Sequence, residues 1–237
     1  MKCLSFLCFL VFSLNAFAQK QVVVDPDAVV KEVNGSFSSI KVSSGISAYI
    51  SKAEVEVLAI SASNEKYRDA IKTVVTNGVL HVFFDGVGVR NKSNGKLNVY
   101  IAYKNLEQIQ ASGASNIVVA GIMEQPLLNL QLSGASELKG EVNITDFNVK
   151  LSGASEAKIT GVVQNINIET SGASDVKAYQ LVAENCNVKA SGASDVTITV
   201  TKEMSANASG ASNIFYKGTA ELILKQTSGA SNVAKVD

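Results

Sequence analysis

Cysteine, proline and tryptophan are scarce in this chain, which has three, two and none of them in 237 residues. Two of the cysteines, Cys3 and Cys8, fall inside a predicted signal peptide. The mature chain would keep Cys186 alone and can form no disulfide within itself. Packing and hydrogen bonding must then stabilise the fold. The shortage of proline favours long β-ladders, because proline removes a backbone donor from the ladder.

Net charge is also missing, since 21 acidic and 21 basic residues cancel. A balanced surface offers no electrostatic attraction for nucleic acid, so we expect no nucleic-acid partner. Beyond the N-terminus, no run of 18 apolar residues occurs, and we expect no transmembrane anchor. The single histidine, His81, lies in an apolar segment and is interpreted as a packed strand residue rather than a base or metal ligand.

The N-terminus has the three parts of a secretory signal peptide over residues 1–18. Lys2 supplies the positive charge, residues 4–14 the apolar stretch, and Ala16-Phe17-Ala18 the cleavage site. The protein is therefore predicted to be exported, to the periplasm or to the outside of the cell. Residues 19–35 would form a short lead-in to the folded part.

A tetrapeptide, Ser-Gly-Ala-Ser, is repeated seven times. The copies begin at Ser112, Ser133, Ser152, Ser171, Ser191, Ser209 and Ser228, at steps of 21, 19, 19, 20, 18 and 19 residues. Ser44-Gly45-Ile46-Ser47 resembles an eighth, degenerate copy. A period of about 20 residues is typical of solenoids, in which each repeat buries its core only against its neighbours.

Apolar and polar residues alternate within each repeat, as they do in a strand with one buried face. One predicted inward column stands five residues before the tetrapeptide: Leu128, Phe147, Ile166, Cys186, Met204 and Ile223. Nothing in the repeat has helical spacing. The sequence therefore predicts an all-β protein, a right-handed single-stranded parallel β-helix (β-solenoid) with coils of ~19–20 residues. Residues 36–110 would form irregular, longer coils and 111–237 regular ones, a separate small β-domain over 36–110 being the alternative.

The tetrapeptide itself is interpreted as a corner between strands, because glycine reaches positive φ without a Cβ penalty and serine can cap the bend. The corner glycines are Gly113, Gly134, Gly153, Gly172, Gly192, Gly210 and Gly229. The alternative is a row of serines presented to a ligand.

Directly after the tetrapeptide stands a polar column with four acids in consecutive coils. Its members are Asn116, Glu137, Glu156, Asp175, Asp195, Asn213 and Asn232. Like charges ~4.8 Å apart repel by roughly 1 kcal/mol in water, so something should offset them. Lys139, Lys158 and Lys177 stand two residues further on, which is the same face of the strand. We interpret the two columns as a salt-bridge lattice.

Two functional alternatives exist for these acids. Glu137, Glu156, Asp175 and Asp195 could together bind calcium, which prefers carboxylate and amide oxygens. Asp195 stands out because Thr197 occupies the place of its lysine. Pairs of carboxylates also cleave polysaccharides, but a regular ladder of four favours architecture over a single catalytic pair.

A second polar column consists of the asparagines Asn129, Asn148, Asn167 and Asn187. Amides at regular spacing on an outward face could hydrogen-bond a repeating glycan along the solenoid axis. An outward strand face must be polar in any case. Aromatic candidates for stacking on sugars are few, the nearest being Tyr179, Phe215 and Tyr216.

Several of these motifs together resemble one family. They are the opening Phe37-Ser-Ser-Ile40-Lys-Val42 with Gly45 after it, the turn Asn77-Gly78-Val-Leu80, and the repeated tetrapeptide followed by Asn, Asp or Glu. Over roughly residues 36–237 the chain is similar to the auto-transporter adhesin family built on the head GIN domain. That resemblance implies an exported, all-β solenoid, and it supplies no agreed ligand or catalytic residues to carry over.

The leading functional hypothesis is an exported, non-catalytic adhesion module that binds a glycan or another cell-surface ligand, with no cofactor unless calcium is bound. A structural protein of the cell envelope is the first alternative. It could form a homo-oligomer, because both ends of a solenoid present unpaired strand edges. A glycan-degrading enzyme is the second alternative.

Overall fold

The computed structural model describes residues 25–86 and 95–237, so the predicted signal peptide lies outside the described residues. Within them the chain forms sixteen strands and one short helix, α1 (Glu65–Ala70). The Asn64 side chain caps this helix by accepting a hydrogen bond from the Tyr67 amide at 2.9 Å. No helix in the described part of the chain is long and apolar enough to cross a membrane.

The strands before the regular repeats are short. They are β1 (Val29–Lys31), β2 (Ser39–Val42), β3 (Ser47–Lys52), β4 (Val57–Ala62), β5 (Ile71–Thr76), β6 (Val79–Phe84), β7 (Leu97–Tyr103) and β8 (Gln108–Ala111). Longer strands, each bent around most of one coil, follow as β9 (Asn116–Leu132), β10 (Glu137–Leu151), β11 (Glu156–Thr170), β12 (Asp175–Ala190) and β13 (Asp195–Ala208). The last are β14 (Asn213–Lys217), β15 (Glu221–Thr227) and β16 (Asn232–Lys235).

Successive coils from β9 to β13 pair in parallel, and equivalent residues of the repeat lie side by side. Glu137 pairs with Glu156, for example, and Phe147 with Ile166. The predicted β-solenoid is confirmed, with about seven turns of ~19 residues each.

The N-terminal half is more complex than a set of longer coils. Strands β3 and β8 begin 61 residues apart and are related neither by the repeat nor by a hairpin, yet both pair in parallel with β9. Strands β4 and β5 instead run antiparallel to their neighbours β7 and β6. The physical reason at β5–β6 is the two-residue turn Asn77-Gly78, whose φ angles of 51° and 75° are typical of a tight hairpin.

The inward columns are buried as the alternation predicts, and they form one continuous hydrophobic core from Phe37 to Val233. In the column five residues before the tetrapeptide, one residue departs from this pattern. Ile223 was expected to point inward, but its side chain is 58% exposed. The pairing of β13 with β15 shifts after Met204, so that Leu222 lies beside Met204 and Ile223 is the extra residue of the bulge.

Each tetrapeptide forms the corner of a coil. Its second serine donates a hydrogen bond from Oγ to the carbonyl of the first, as Ser174 does to Ser171 at 2.8 Å, and this serine is buried in the first six copies. From the third copy onward, its alanine N–H donates to the glycine carbonyl one coil earlier, as Ala173 does to Gly153 at 2.7 Å. The degenerate copy starts one residue earlier than expected, at Ser43, because Ser47 pairs with Asn116 rather than with Ser115.

Candidate binding groove

An open groove of about 1050 Å³ lies on the outer face of the solenoid, just after the acid column. We call it the lysine groove. Residues that line it are Val118–Gly121 of β9, Lys139–Glu141 of β10, Lys158–Thr160 of β11, Lys177, Tyr179 and Gln180 of β12, and Thr197 of β13. Its volume is at the upper limit of the usual range for small-molecule sites.

Unequal coil lengths create the groove. Three residues separate Val118 from Ile122 in β9, where one residue separates their partners Lys139 and Glu141 in β10. At the same bend, β12 has one residue more than β11 and three more than β13. Two short coils, β10 and β11, therefore lie recessed between two longer ones. The distance from β9 to β12 is three coil steps, or roughly 14 Å.

The lysine column runs through the groove, and ion pairs tie it to the acid column. Lys158 Nζ lies 2.8 Å from a carboxylate oxygen of Glu137 and 3.3 Å from one of Glu156. Lys177 forms an ion pair with Glu156 as well. The predicted salt-bridge lattice is thus present in this part of the face.

The ion pairs connect each lysine to the acid of the preceding coil. One lysine at the first end of the lattice and one acid at the other end are therefore left without a diagonal partner. Lys158 and Lys177 each reach the acid of the coil before, but the coil before Lys139 offers the neutral Asn116. Lys139 and Asp175 consequently have no ion pair among the residues that the structure describes. Asp195, the acid without a lysine, accepts a hydrogen bond from Asn213 Nδ2 at 2.8 Å.

The lattice determines the ionisation of its central members. Burial raises the pKa of Glu156, but hydrogen bonds from Lys177 and Lys158 outweigh this effect, and the net pKa lies below its usual value. Hydrogen bonds to Glu137 and Glu156 raise the pKa of Lys158. A carboxyl group held ionised in this way cannot serve as a general acid at neutral pH.

The candidate calcium ligands do not converge. Within residues 25–86 and 95–237, no group of three or more His, Cys, Asp or Glu side chains is placed to hold a metal ion. Carboxylate oxygens of Glu137 and Glu156 face lysines instead. Calcium binding by this column stays a prediction.

The asparagine column forms a hydrogen-bonded ladder. Each Nδ2 donates to the Oδ1 of the preceding coil, at 3.0 Å for Asn148 to Asn129, 3.0 Å for Asn167 to Asn148 and 3.5 Å for Asn187 to Asn167. In each inner asparagine of the ladder, one N–H donor and the amide oxygen are therefore already hydrogen-bonded to the neighbouring asparagines. The cavity over Asn167 and Asn187 is small, at about 240 Å³.

Two features of this surface were missed in the sequence. A second ladder joins Asp146, Asn165 and Asn185, with Nδ2 to oxygen distances of 2.9 Å and 2.9 Å. The sequence could have predicted this ladder, because its polar residues recur at steps of 19 and 20, which match the repeat. The other feature is a stack of Tyr49 on Tyr100, with ring centroids 5.1 Å apart, in line with Val118 and the lysine column.

Of the three aromatic residues singled out from the sequence, Tyr179 alone lines the groove. Its side chain is 38% exposed, whereas Tyr216 is buried. Lys217 Nζ lies 5.3 Å from the centre of the Tyr179 ring, a cation–π contact that restrains the ring. Tyr179 thus forms part of the end wall of the groove on the side of β12.

These observations define a β-solenoid with a ligand-sized groove in its outer face. The chain belongs to the family described as "Putative auto-transporter adhesin, head GIN domain", whose model matches residues 36–220. No protein of curated function matches the sequence.

Solved structures share the fold. A "putative adhesin" of Bacteroides fragilis NCTC 9343 is 19% identical with a TM-score of 0.76, over 88% of this chain and 96% of that one. A "putative adhesin" of Parabacteroides merdae ATCC 43184 is 17% identical with a TM-score of 0.67, over 90% and 98%. A "Putative lipid binding protein" of Parabacteroides distasonis ATCC 8503 is 17% identical with a TM-score of 0.65, over 89% and 96%.

Proposed function

We propose that this protein is an exported, non-catalytic adhesion module that holds a short segment of a cell-surface glycan in the lysine groove. The observation that carries the proposal is the recess itself, which is walled at both ends by the longer coils β9 and β12. Membership of an adhesin family supports a binding role. The predicted signal peptide supports export.

The groove is a better candidate than the asparagine ladder. Amides of the ladder already bond to one another, and the cavity above them, at about 240 Å³, is below the usual size of a ligand site. The lysine groove is about four times larger, at about 1050 Å³. It also brings together charged groups, hydroxyl groups and an aromatic ring.

The lining of the groove suits a sugar. The ring of Tyr179 offers an apolar surface, held in place by Lys217, on which the C–H groups of a sugar can pack. Thr160 contributes a hydroxyl group that can donate and accept, whereas the Thr197 hydroxyl already donates to the Val176 carbonyl at 3.2 Å. Three lysines add further donors.

A non-catalytic role agrees with the state of the acids. A glycosidase needs one carboxyl group with a raised pKa as its acid. Glu156, the acid at the centre of the lattice, has its pKa displaced in the opposite direction. The neighbouring Glu137 is bound to Lys158.

The test is retention of the mature protein, residues 19–237, on immobilised bacterial, plant and host glycans. Tyr179→Ala should abolish retention on the glycan class that binds the native protein. Lys189→Ala, on another outward face, is the control and should bind normally. Release of new reducing ends, or retention unaffected by Tyr179→Ala, would contradict the proposal. Repeating the assay with calcium and with a chelator tests the predicted calcium site.

One observation favours a second ligand class, an acyl chain. The floor of the groove is apolar around Val118, Val119 and Ile159. A solenoid of the same fold is described as a "Putative lipid binding protein". Titration with a medium-chain fatty acid, read by the intrinsic fluorescence of tyrosine, distinguishes the two classes, since the glycan proposal expects no saturable signal.

A further inference from the structure

We infer that the glycan segment bound in the lysine groove carries an acidic group, a carboxylate or a sulfate, and that Lys139 binds it. The inference rests on the proposed function. Its starting point is the one-coil offset between the lysine and acid columns, because this offset gives two lysines of the groove an acidic partner and the third lysine none.

The pairing in the lattice is diagonal. Lys158 bonds Glu137 of the coil before at 2.8 Å, and Lys177 bonds Glu156 in the same sense. The position diagonal to Lys139 is held by Asn116, which pairs with Glu137 across the ladder and carries no charge. Lys139 is therefore the one lysine of the groove with no ion pair in the part of the chain that the structure describes.

Lys139 is also accessible to a ligand. Its side chain is exposed, and Lys139 pairs with the apolar Val118 of the neighbouring strand β9. The next residue is Gly140, where the pairing of β10 with β9 is irregular. A Cβ at Gly140 would lie 2.5 Å from Cβ of Val119, so the coil can be short here only because the side chain is absent.

The charges that line the groove favour an anion. Three lysines and one acid, Glu141, belong to the lining, whereas Glu137, Glu156 and Asp175 lie outside it. An anionic group at Lys139 would meet a cation that has no ion pair within residues 25–86 and 95–237. At Lys158 it would have to compete with two carboxylates at 2.8 and 3.3 Å.

The test compares three trisaccharides of the same linkage by isothermal titration: one of uronic acid, its carboxyl-reduced neutral form, and an O-sulfated form. The native protein should bind at least one acidic form about tenfold more tightly than the neutral form. If only the uronate or only the sulfated form binds more tightly than the neutral form, that result identifies which acidic group Lys139 binds. Lys139→Gln should remove the preference, so that the acidic and neutral forms bind the variant with equal affinity.

A second variant tests the same idea without touching the lining of the groove. Asn116→Glu supplies the missing diagonal acid and should reduce acidic binding as Lys139→Gln does. Lys189→Gln removes a lysine from another face and should change nothing. Equal binding of the acidic and neutral forms, lost in Tyr179→Ala, would overturn the inference and keep the proposed function. Binding of none of the trisaccharides and of no glycan on the panel would overturn both.

Discussion

Gly172 lies directly over Gly153, so close that a Cβ on Gly172 would be 2.5 Å from the Gly153 carbonyl oxygen. That oxygen accepts the hydrogen bond from Ala173 N–H at 2.7 Å. The corners of the solenoid therefore stack backbone on backbone. Any side chain at the glycine position would hold the coils apart and break the hydrogen bond between them.

Gly172→Ala should lower the stability of the protein by about 2 kcal/mol or more, because it adds this steric contact to the strain of a positive φ. The measurement is the midpoint of unfolding in urea. Gly121→Ala is the matched control, with φ of +84° against +77° but nothing within 4 Å of its Cβ. Equal losses in the two variants would mean that the close stacking contributes nothing.

The two serines of a corner should differ in their effect on stability. Ser174→Ala removes a buried hydroxyl that donates to the Ser171 carbonyl at 2.8 Å, and should cost about 1–2 kcal/mol. Ser171→Ala removes an exposed hydroxyl with a long contact of 3.5 Å to the Leu151 carbonyl, and should cost less than about 0.5 kcal/mol. Thermal unfolding of both variants measures the difference, and the reverse order would contradict the corner geometry.

Glu156→Gln should destabilise the protein at neutral pH by about 0.5–1 kcal/mol, and this loss should shrink as the pH falls below the unfolded pKa of a glutamate. The folded pKa of Glu156 is depressed, so its contribution is present above the unfolded value of about 4.3 and is lost as pH falls through the lower folded value. Chemical denaturation at several pH values measures this. Glu184→Gln, which breaks the separate pair with Lys202, is the control, and a loss for Glu156→Gln that does not shrink as the pH falls would contradict the lattice as its source.

The last coil carries lysines at inward positions. Lys225 pairs with Ala206 and Lys235 with Tyr216, and both of these partners are buried. Lys225 Nζ donates to the Val233 carbonyl at 2.7 Å. Inward-pointing charges are a known protection of sheet edges against pairing with another chain.

Replacing both lysines, Lys225→Val with Lys235→Val, should therefore cause concentration-dependent self-association. Sedimentation velocity over a hundredfold range of concentration measures it. The control variant combines Lys150→Val with Lys189→Val, which removes the same charge from an outward face. Association of both variants to the same extent would point to lost net charge rather than to an uncovered edge.

Much of the fold could be predicted because the repeat specifies which residues of successive coils lie side by side. Phe147 lies beside Ile166, and Lys158 reaches Glu137, because equivalent positions of a solenoid come together whenever the period is regular. Ile223 escaped the prediction. A bulge shifts the pairing by one residue, and no pattern within the repeat announces it.

Only part of the candidate site could be predicted from the sequence. Its lysines and Tyr179 were identified from the sequence, but the groove was not. Unequal steps between the tetrapeptides show that coils differ in length. They do not show that the additional residues of β9 and β12 fall at the same bend, which is what makes the recess.

The sequence by itself determined the solenoid, its inward columns, its glycine corners and the facing columns of lysine and acid. All of these depend on local alternation and on a period that places like residues side by side. Only the tertiary structure decided which lysine is left without an acid, where the coils bulge, and that Tyr49 stacks on Tyr100. These depend on the pairing of strands far apart in the chain, where a shift of one residue redirects every side chain that follows.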